Sequence, residues 1–454
     1  MKPTYDELLT IVEEQRKTIA RLEKKIEELE ERNFKLEERL NLNSKNSSKP
    51  PSSDQKRNKR PSKGGAKPGH PGHHRSLLPE SRIDRKIVSP CEACQSCGSI
   101  NLEVLKPWIF QQVELPEIHP IVTQIECVKV RCKACKKRSM APIPEGYEAT
   151  GFGPRLSSMI GLLSSAYRLS KRPMQSLLQS VFNVDLSLGV IPRIESRLSE
   201  ALEPQDQELQ KAIRSNDPAY VDETTFREMG KSCTVWTVNT NRASVLRILP
   251  SRGIDSLNTV RPRGHPGITI TDRYAVYKYP KHQYCLAHIK RDFERYAQRS
   301  GFDGELGKRL LFELGEIFVH TGAYKGGKIS VGEMRRNVGY RKRRMHQILE
   351  EVMAEGSDEF MKLAERFLNQ YEKLFLFTRY PDIECTNNIA ERALRHIVIW
   401  RKTSYGTQSI KGSQFLERSL SVWMTLKMQG REALEFFTQA YRSRVDPSLA
   451  PAIL

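Results

Sequence analysis

The chain has 454 residues, with 74 Lys+Arg against 54 Asp+Glu and a formal net charge of +20. That length allows about two to four domains and at least one sizeable core, and the clustered positive charge suits a polyanionic partner. No apolar run approaches the ~18 residues of a membrane span, and the charged N-terminus lacks the form of a secretion signal, so no membrane partner and a cytoplasmic, nucleoid-associated location are expected.

Residues 1–42 carry a heptad repeat. One seam holds Leu8, Gln15, Leu22, Leu29 and Leu36, and the other Val12, Ile19, Ile26, Asn33 and Leu40. Steps of three and four alternate throughout, the pattern of a coiled coil. Mainly β-branched residues at a and leucine at d predict a parallel dimer, or a higher assembly built on it, with Asn33 fixing register. Lys25 and Arg32 stand at g positions facing Glu30 and Glu37 at e′. A solitary amphipathic helix packed on its own domain is the plainer account, but so polar an outer surface suits it poorly.

Residues 43–78 change texture. Ser, Asn, Pro and Gly dominate, with Lys56, Arg57, Lys59 and Arg60 among them, and too few apolar residues remain to offset the entropy of ordering. A flexible basic arm follows, either a plain solvated linker or one that binds phosphates without reading sequence.

Nine cysteines in a reducing compartment point to metal or free thiols before disulfides. Within 79–150, Cys94-x-x-Cys97 and Cys132-x-x-Cys135 have the doubled spacing of a four-thiolate structural Zn2+ site; Cys91 and Cys127 leave the ligand set ambiguous. Strand-like stretches at 121–125 and 128–130 predict a small zinc-ribbon-like module. Residues 151–215 show helical periodicity, which fits a helix-turn-helix DNA reader and an ordinary helical connector equally; Lys171 and Arg193 are its candidate DNA contacts.

After Pro218 the pattern becomes α/β. Strands are predicted at 218–222, 233–238, 244–249, 267–271 and 283–286, with helices near 252–261 and 287–298. Three antiparallel strands, a helix, then two strands with helices is the order of a ribonuclease H-like core. That core occupies 216–299, is interrupted by a basic α-helical insertion at 300–384, and resumes at 385–454.

Asp222 and Asp272 each end a predicted strand, and Glu391 opens a later helix. Singly, each aspartate fits a turn, and Glu391, three residues after Asn388, fits a capping box. Together they are the ligands that two Mg2+ ions (or Mn2+ in their place) need for in-line phosphodiester displacement. Cys285-x-x-His288 also has metal-like spacing, but two ligands do not make a site, so a buried structural pair is expected. Arg392 and Arg395 are candidate phosphate contacts on the glutamate helix, and a salt bridge to Glu391 is the simpler role for Arg395.

The chain resembles bacterial transposases of the insertion sequence 66 family over nearly its full length. The zipper, the Asn43-Ser44 to Ser53-Asp54 arm and the cysteine pairs carry the likeness. So do Asp222-Glu223-Thr224, Thr271-Asp272-Arg273-Tyr274, Cys285 to Arg291, and Asn387 to Arg395 with Arg401-Lys402 and the Gly406 to Gly412 stretch. Leu286 departs from the aromatic residue common there. The resemblance implies a DDE transposase whose catalytic, Mg2+-binding triad falls on Asp222, Asp272 and Glu391. It also implies double-stranded DNA partners (element ends and target), with 3′-hydroxyl joining and accessory proteins encoded by the same element. A catalytically silent DNA-binding derivative and a related ribonuclease H-like nuclease are the alternatives.

Overall fold

The computed structural model describes residues 5–41 and 76–454. Lys56, Arg57, Lys59 and Arg60 lie outside the described residues, as do the side chains of Leu8, Glu30, Asn33, Glu37 and Leu40.

Helix α1 runs unbroken from Tyr5 to Asn41, with neither Gly nor Pro to interrupt it. Its apolar residues Val12, Ile19, Leu22, Ile26, Leu29 and Leu36 stay exposed on the single chain. Residues 76–153 are largely irregular. They hold one antiparallel pair, β1 (Lys129–Arg131) with β2 (Arg138–Met140). The strand expected at 121–125 does not form: Ile121 and Val122 are exposed with no neighbouring strand to satisfy their backbone.

Helices α2 (Pro154–Ser164), α3 (Lys171–Phe182) and α4 (Val190–Ala201) pack around Ile160, Met174, Leu178, Leu186, Ile191 and Ile194. Helix α5 (Glu203–Ala212) follows. This region is not a detached reader. Leu198 of α4 and Leu209 of α5 enter the core beneath the main sheet, and Arg247 holds Asp206 of α5 by two 2.8 Å bonds.

The main sheet contains β3 (Ala219–Glu228), β4 (Lys231–Asn239), β5 (Ser244–Leu249), β6 (Thr269–Thr271) and β7 (His282–Tyr284), in the order β5-β4-β3-β6-β7. The first three strands are antiparallel; β6 and β7 run parallel to β3. Met229 and Gly230 both take positive φ, 51° and 76°, as a tight turn between right-twisted strands requires. Helix α6 (Ile254–Val260) crosses from β5 to β6, and α7 (Leu286–Ala297) leaves β7.

Strand β3 does not end at Asp222 as its sequence suggested. Thr224, Thr225 and Phe226 are good strand formers, and β3 stays paired with β4 down to Glu228↔Lys231. Its parallel pairing with β6, in contrast, stops at Tyr220↔Ile270.

Alternation along β3 divides its side chains between two faces. Val221, with Trp236, Val238 and Val245, packs into a core completed by α5, α6, α13 (Ile410–Met428) and α14 (Ala433–Arg442). Tyr220 and Phe226 face the other side. There they meet α7, the insertion helices α8 (Gly301–Lys325), α9 (Val331–Glu355), α10 (Asp358–Leu368) and α11 (Leu376–Arg379), and α12 (Asn388–Ser404). The insertion shares one core with α7 and strands β6 and β7, rather than standing apart. Among the described residues no helix is long and apolar enough to cross a membrane.

Candidate active site

The last parallel pair of β3 and β6 is Tyr220↔Ile270, so Asp222 and Asp272 each stand two residues beyond it. Asp222, still within β3, and Asp272, just past the end of β6, therefore leave neighbouring parallel strands at matching positions. The local backbone holds each carboxylate: Asp222 Oδ1 accepts the Glu223 N–H at 2.9 Å, and Asp272 Oδ1 accepts the Tyr274 N–H at 2.8 Å.

Glu391 arrives from α12, which packs on the Asp222 face of β3. The geometry rules out the capping-box account. Asn387, not Asn388, is the N-cap, and its side chain makes no cap bond; its amide instead donates to Val221 O at 2.8 Å. Glu391 Oε1 is buried and without a hydrogen-bond partner. Its nearest basic neighbours, each at 3.7 Å, are Arg291 Nη2 and His288 Nδ1; burial, with Arg291 beside it, pushes the His288 imidazole down to about 4. Among the described residues no ion pair joins Arg395 to Glu391; Arg392 and Arg395 are exposed on the outer face of α12.

Burial, with Glu223 and then Asp272 beside it, pushes Asp222 well above the usual carboxylate range, and Glu391 adds to the effect. Burial also raises Asp272 and Glu223. Glu223 is a fourth acid that the sequence analysis did not single out. Its side chain is 1% exposed, and Arg252 Nε and the Tyr277 hydroxyl donate to it. Adjacency to Asp222 was its only signal. Arg273 and Arg291 were missed too; Arg273 pairs with Asp292 and lies over the Phe367 ring.

The donor set fits hard divalent cations on two observations. Burial and then neighbouring carboxylates raise Asp222, which a cationic counter-charge would offset, and a buried Glu391 oxygen has no hydrogen-bond partner, although among the described residues Asp222, Asp272 and Glu391 do not form one group of ligand atoms within 4.8 Å.

The other sequence candidates fare unevenly. Arg401 is committed to β3: its Nη1 donates to Thr224 Oγ1 at 3.1 Å, to Thr225 Oγ1 at 2.9 Å, and to Thr225 O. It clamps the far end of α12 two residues past Asp222. Lys402 is exposed at the end of α12, and Lys171 and Arg193 are exposed on α3 and α4.

Each Cys-x-x-Cys forms the same turn. Cys94 N–H donates to Ser99 O and Cys94 O accepts the Gly98 N–H, while Cys132 N–H donates to Lys137 O and Cys132 O accepts the Lys136 N–H. Gly98 and Lys136 both have positive φ, 73° and 60°. Amides of Ser96 and Cys97 lower the Cys94 thiol, and those of Cys135 and Ala134 lower Cys132. The two turns are not drawn into one cluster. Among the described residues, the only group of three or more metal-type ligands within 4.8 Å of one another is Cys285, His288 and Glu391.

Comparison with protein families matches residues 150–415 to the Transposase IS66 family, and residues 1–76 to DUF6444, a family of unknown function. The chain belongs to the IS66 transposase family. A curated relative, the uncharacterized protein y4hP of Sinorhizobium fredii, is 23% identical over 386 residues, covering 76% of this chain and 69% of that protein. Membership supports a transposase role and DNA as partner.

Proposed function

We propose that the chain is a DDE transposase. It binds the ends of its element, cleaves DNA strands and joins the freed 3′-hydroxyls to target DNA. The sheet order β5-β4-β3-β6-β7 is that of a ribonuclease H-like core, which supports this reading. The observation that carries it is the equivalent register of Asp222 and Asp272, with Glu391 delivered to the same face.

Asp222, Asp272 and Glu391 would hold Mg2+. When bound, that ion pair activates the attacking hydroxyl or water and stabilises the leaving oxygen of an in-line displacement. The protein's share is positioning. Asn387 and Arg401 fasten the two ends of α12 to β3, and backbone amides fix both aspartates. Arg291, about a quarter exposed beside Glu391, is placed to meet a phosphate. The Cys94/Cys97 and Cys132/Cys135 turns would close on a structural Zn2+, and α1 would pair with a second copy through its exposed seam.

The test is Asp222→Asn. Cleavage and joining should vanish while DNA binding persists; normal joining by the variant would remove the metal assignment.

A further inference from the structure

Cys285 and His288 lie outside the proposed carboxylate triad, yet their ligand atoms come within 4.8 Å of its glutamate. Cys285 is the N-cap of α7 and fully buried; its Sγ accepts the Asn387 N–H at 3.1 Å. Leu286 N donates to Cys385 O at 2.9 Å, so the start of α7 is tied to the segment leading into α12. His288 follows three residues after the cysteine, on the same side of the first helical turn. Its Nδ1 is buried without a hydrogen-bond partner and faces Glu391 Oε1, itself buried and unpartnered. A thiol, an imidazole and a carboxylate thus come within 4.8 Å of one another. A helix cap explains the burial of Cys285. It does not explain two orphaned polar atoms facing each other beside it.

Donor chemistry selects the ion. Mg2+ prefers an octahedron of hard oxygens, to which sulfur and imidazole contribute little. Zinc-class ions accept S, N and O together in a tetrahedron, with bonds of about 2.0 to 2.3 Å that set the ligand atoms roughly 3.5 Å apart. A contraction of about 1 Å would close this group to that spacing. Arg291, the competing neighbour of Oε1 at 3.7 Å, is partly exposed.

We infer that Cys285, His288 and Glu391 form an inhibitory site for a zinc-class divalent ion, whose binding draws Glu391 away from Asp222 and Asp272. The inhibitory effect rests on Glu391 being the third catalytic carboxylate; the binding does not. The site would sense free transition metal with the residue the reaction needs most.

The experiment uses the full chain with Co2+ as the probe, read by its thiolate charge-transfer absorption. The unaltered protein should take up an additional Co2+ relative to Cys285→Ala and to His288→Ala, while the Cys94 and Cys132 turns contribute equally to all three. Glu391→Gln should weaken that ion about tenfold or more. In Mg2+-supported joining, Zn2+ should inhibit the unaltered protein at concentrations that leave Cys285→Ala or His288→Ala at its own zinc-free rate. Equal Co2+ uptake, or equal Zn2+ sensitivity, would overturn the inference. If Cys285→Ala does not fold, His288→Ala gives the same reading. If Mg2+ supports no joining at all, the transposase reading fails, and Co2+ uptake still decides whether the site exists.

Discussion

Asn387 donates its side-chain amide to the carbonyl oxygen of Val221 at 2.8 Å. That bond joins the residue before Asp222 to the cap of the helix that carries Glu391. It bridges positions far apart in the chain, and both partners are fully buried. Asn387→Ala should therefore loosen the spacing of the acids proposed to be catalytic. A displacement of about 1 Å lowers rate on the order of a hundredfold. Single-turnover cleavage at saturating Mg2+ should fall by that order while DNA retention in a gel shift is unchanged. An unaltered rate would show that the bond does not set the site.

The crowded acids make a second prediction, on stability. Asp222 is held well above its ordinary range, so its ionised form is disfavoured in the fold. Its contribution is most favourable below the unfolded pKa and is lost as pH rises. At neutral pH without metal, Asp222→Asn should raise the melting temperature. Mg2+ should raise that of the unaltered protein and do little for the variant. Calorimetry in chelator and in Mg2+ checks both.

Glu417 provides a pH probe away from the proposed metal site. Burial pushes it from 4.5 to about 7, and its carboxylate accepts the Ile248 N–H. Below pH 4.5 both states are protonated. As pH rises towards 7 only the unfolded state ionises, so stability is lost across that window. Relative to Glu417→Gln, which keeps an acceptor for Ile248, the native protein should lose about 3 kcal/mol between pH 4.5 and 7.5. Parallel urea curves at the two pH values would measure it; equal pH slopes would refute the shift.

Two elements outside the core are tested by composition and mass. Purified chain should carry structural zinc that Cys132→Ser loses, together with protease resistance of residues 79–150. Zinc-free protein with normal folding would remove the four-thiolate proposal. Sedimentation at micromolar concentration should give a dimer or larger, and Leu22→Lys, placed in the exposed seam of α1, should shift it to monomer.

Much of the sheet was legible because local signals agreed. The β4–β5 hairpin has β-branched runs on either side of Asn239-Thr240-Asn241, and β6 is a short β-branched run ending just before Asp272. The length of β3 was not, because Glu223 to Glu228 reads as polar; its pairing with β4, not its own hydrophobicity, extends the strand. Nor could sequence foresee that α4 and α5 join the core of the sheet, or that Asn387 is spent on Val221. Those contacts depend on partners distant in the chain. Asp222 and Asp272 were singled out as strand-end residues, which is incomplete geometry. Matching register on parallel strands, more than strand ends, brings them together. Cys285-x-x-His288 showed its spacing in the sequence; Glu391, the third member of that group, became visible only once the starts of α7 and α12 were joined through the Asn387–Cys285 bond.

The most direct measurement concerns Glu391, because its role depends on the whole fold. Glu391→Gln keeps the size and helical position of the side chain and removes only its charge. With Mg2+ and DNA carrying the ends of the proposed element, strand joining should fall about a thousandfold or more, as loss of a metal ligand implies, with end binding intact. Joining at the unaltered rate would contradict the account.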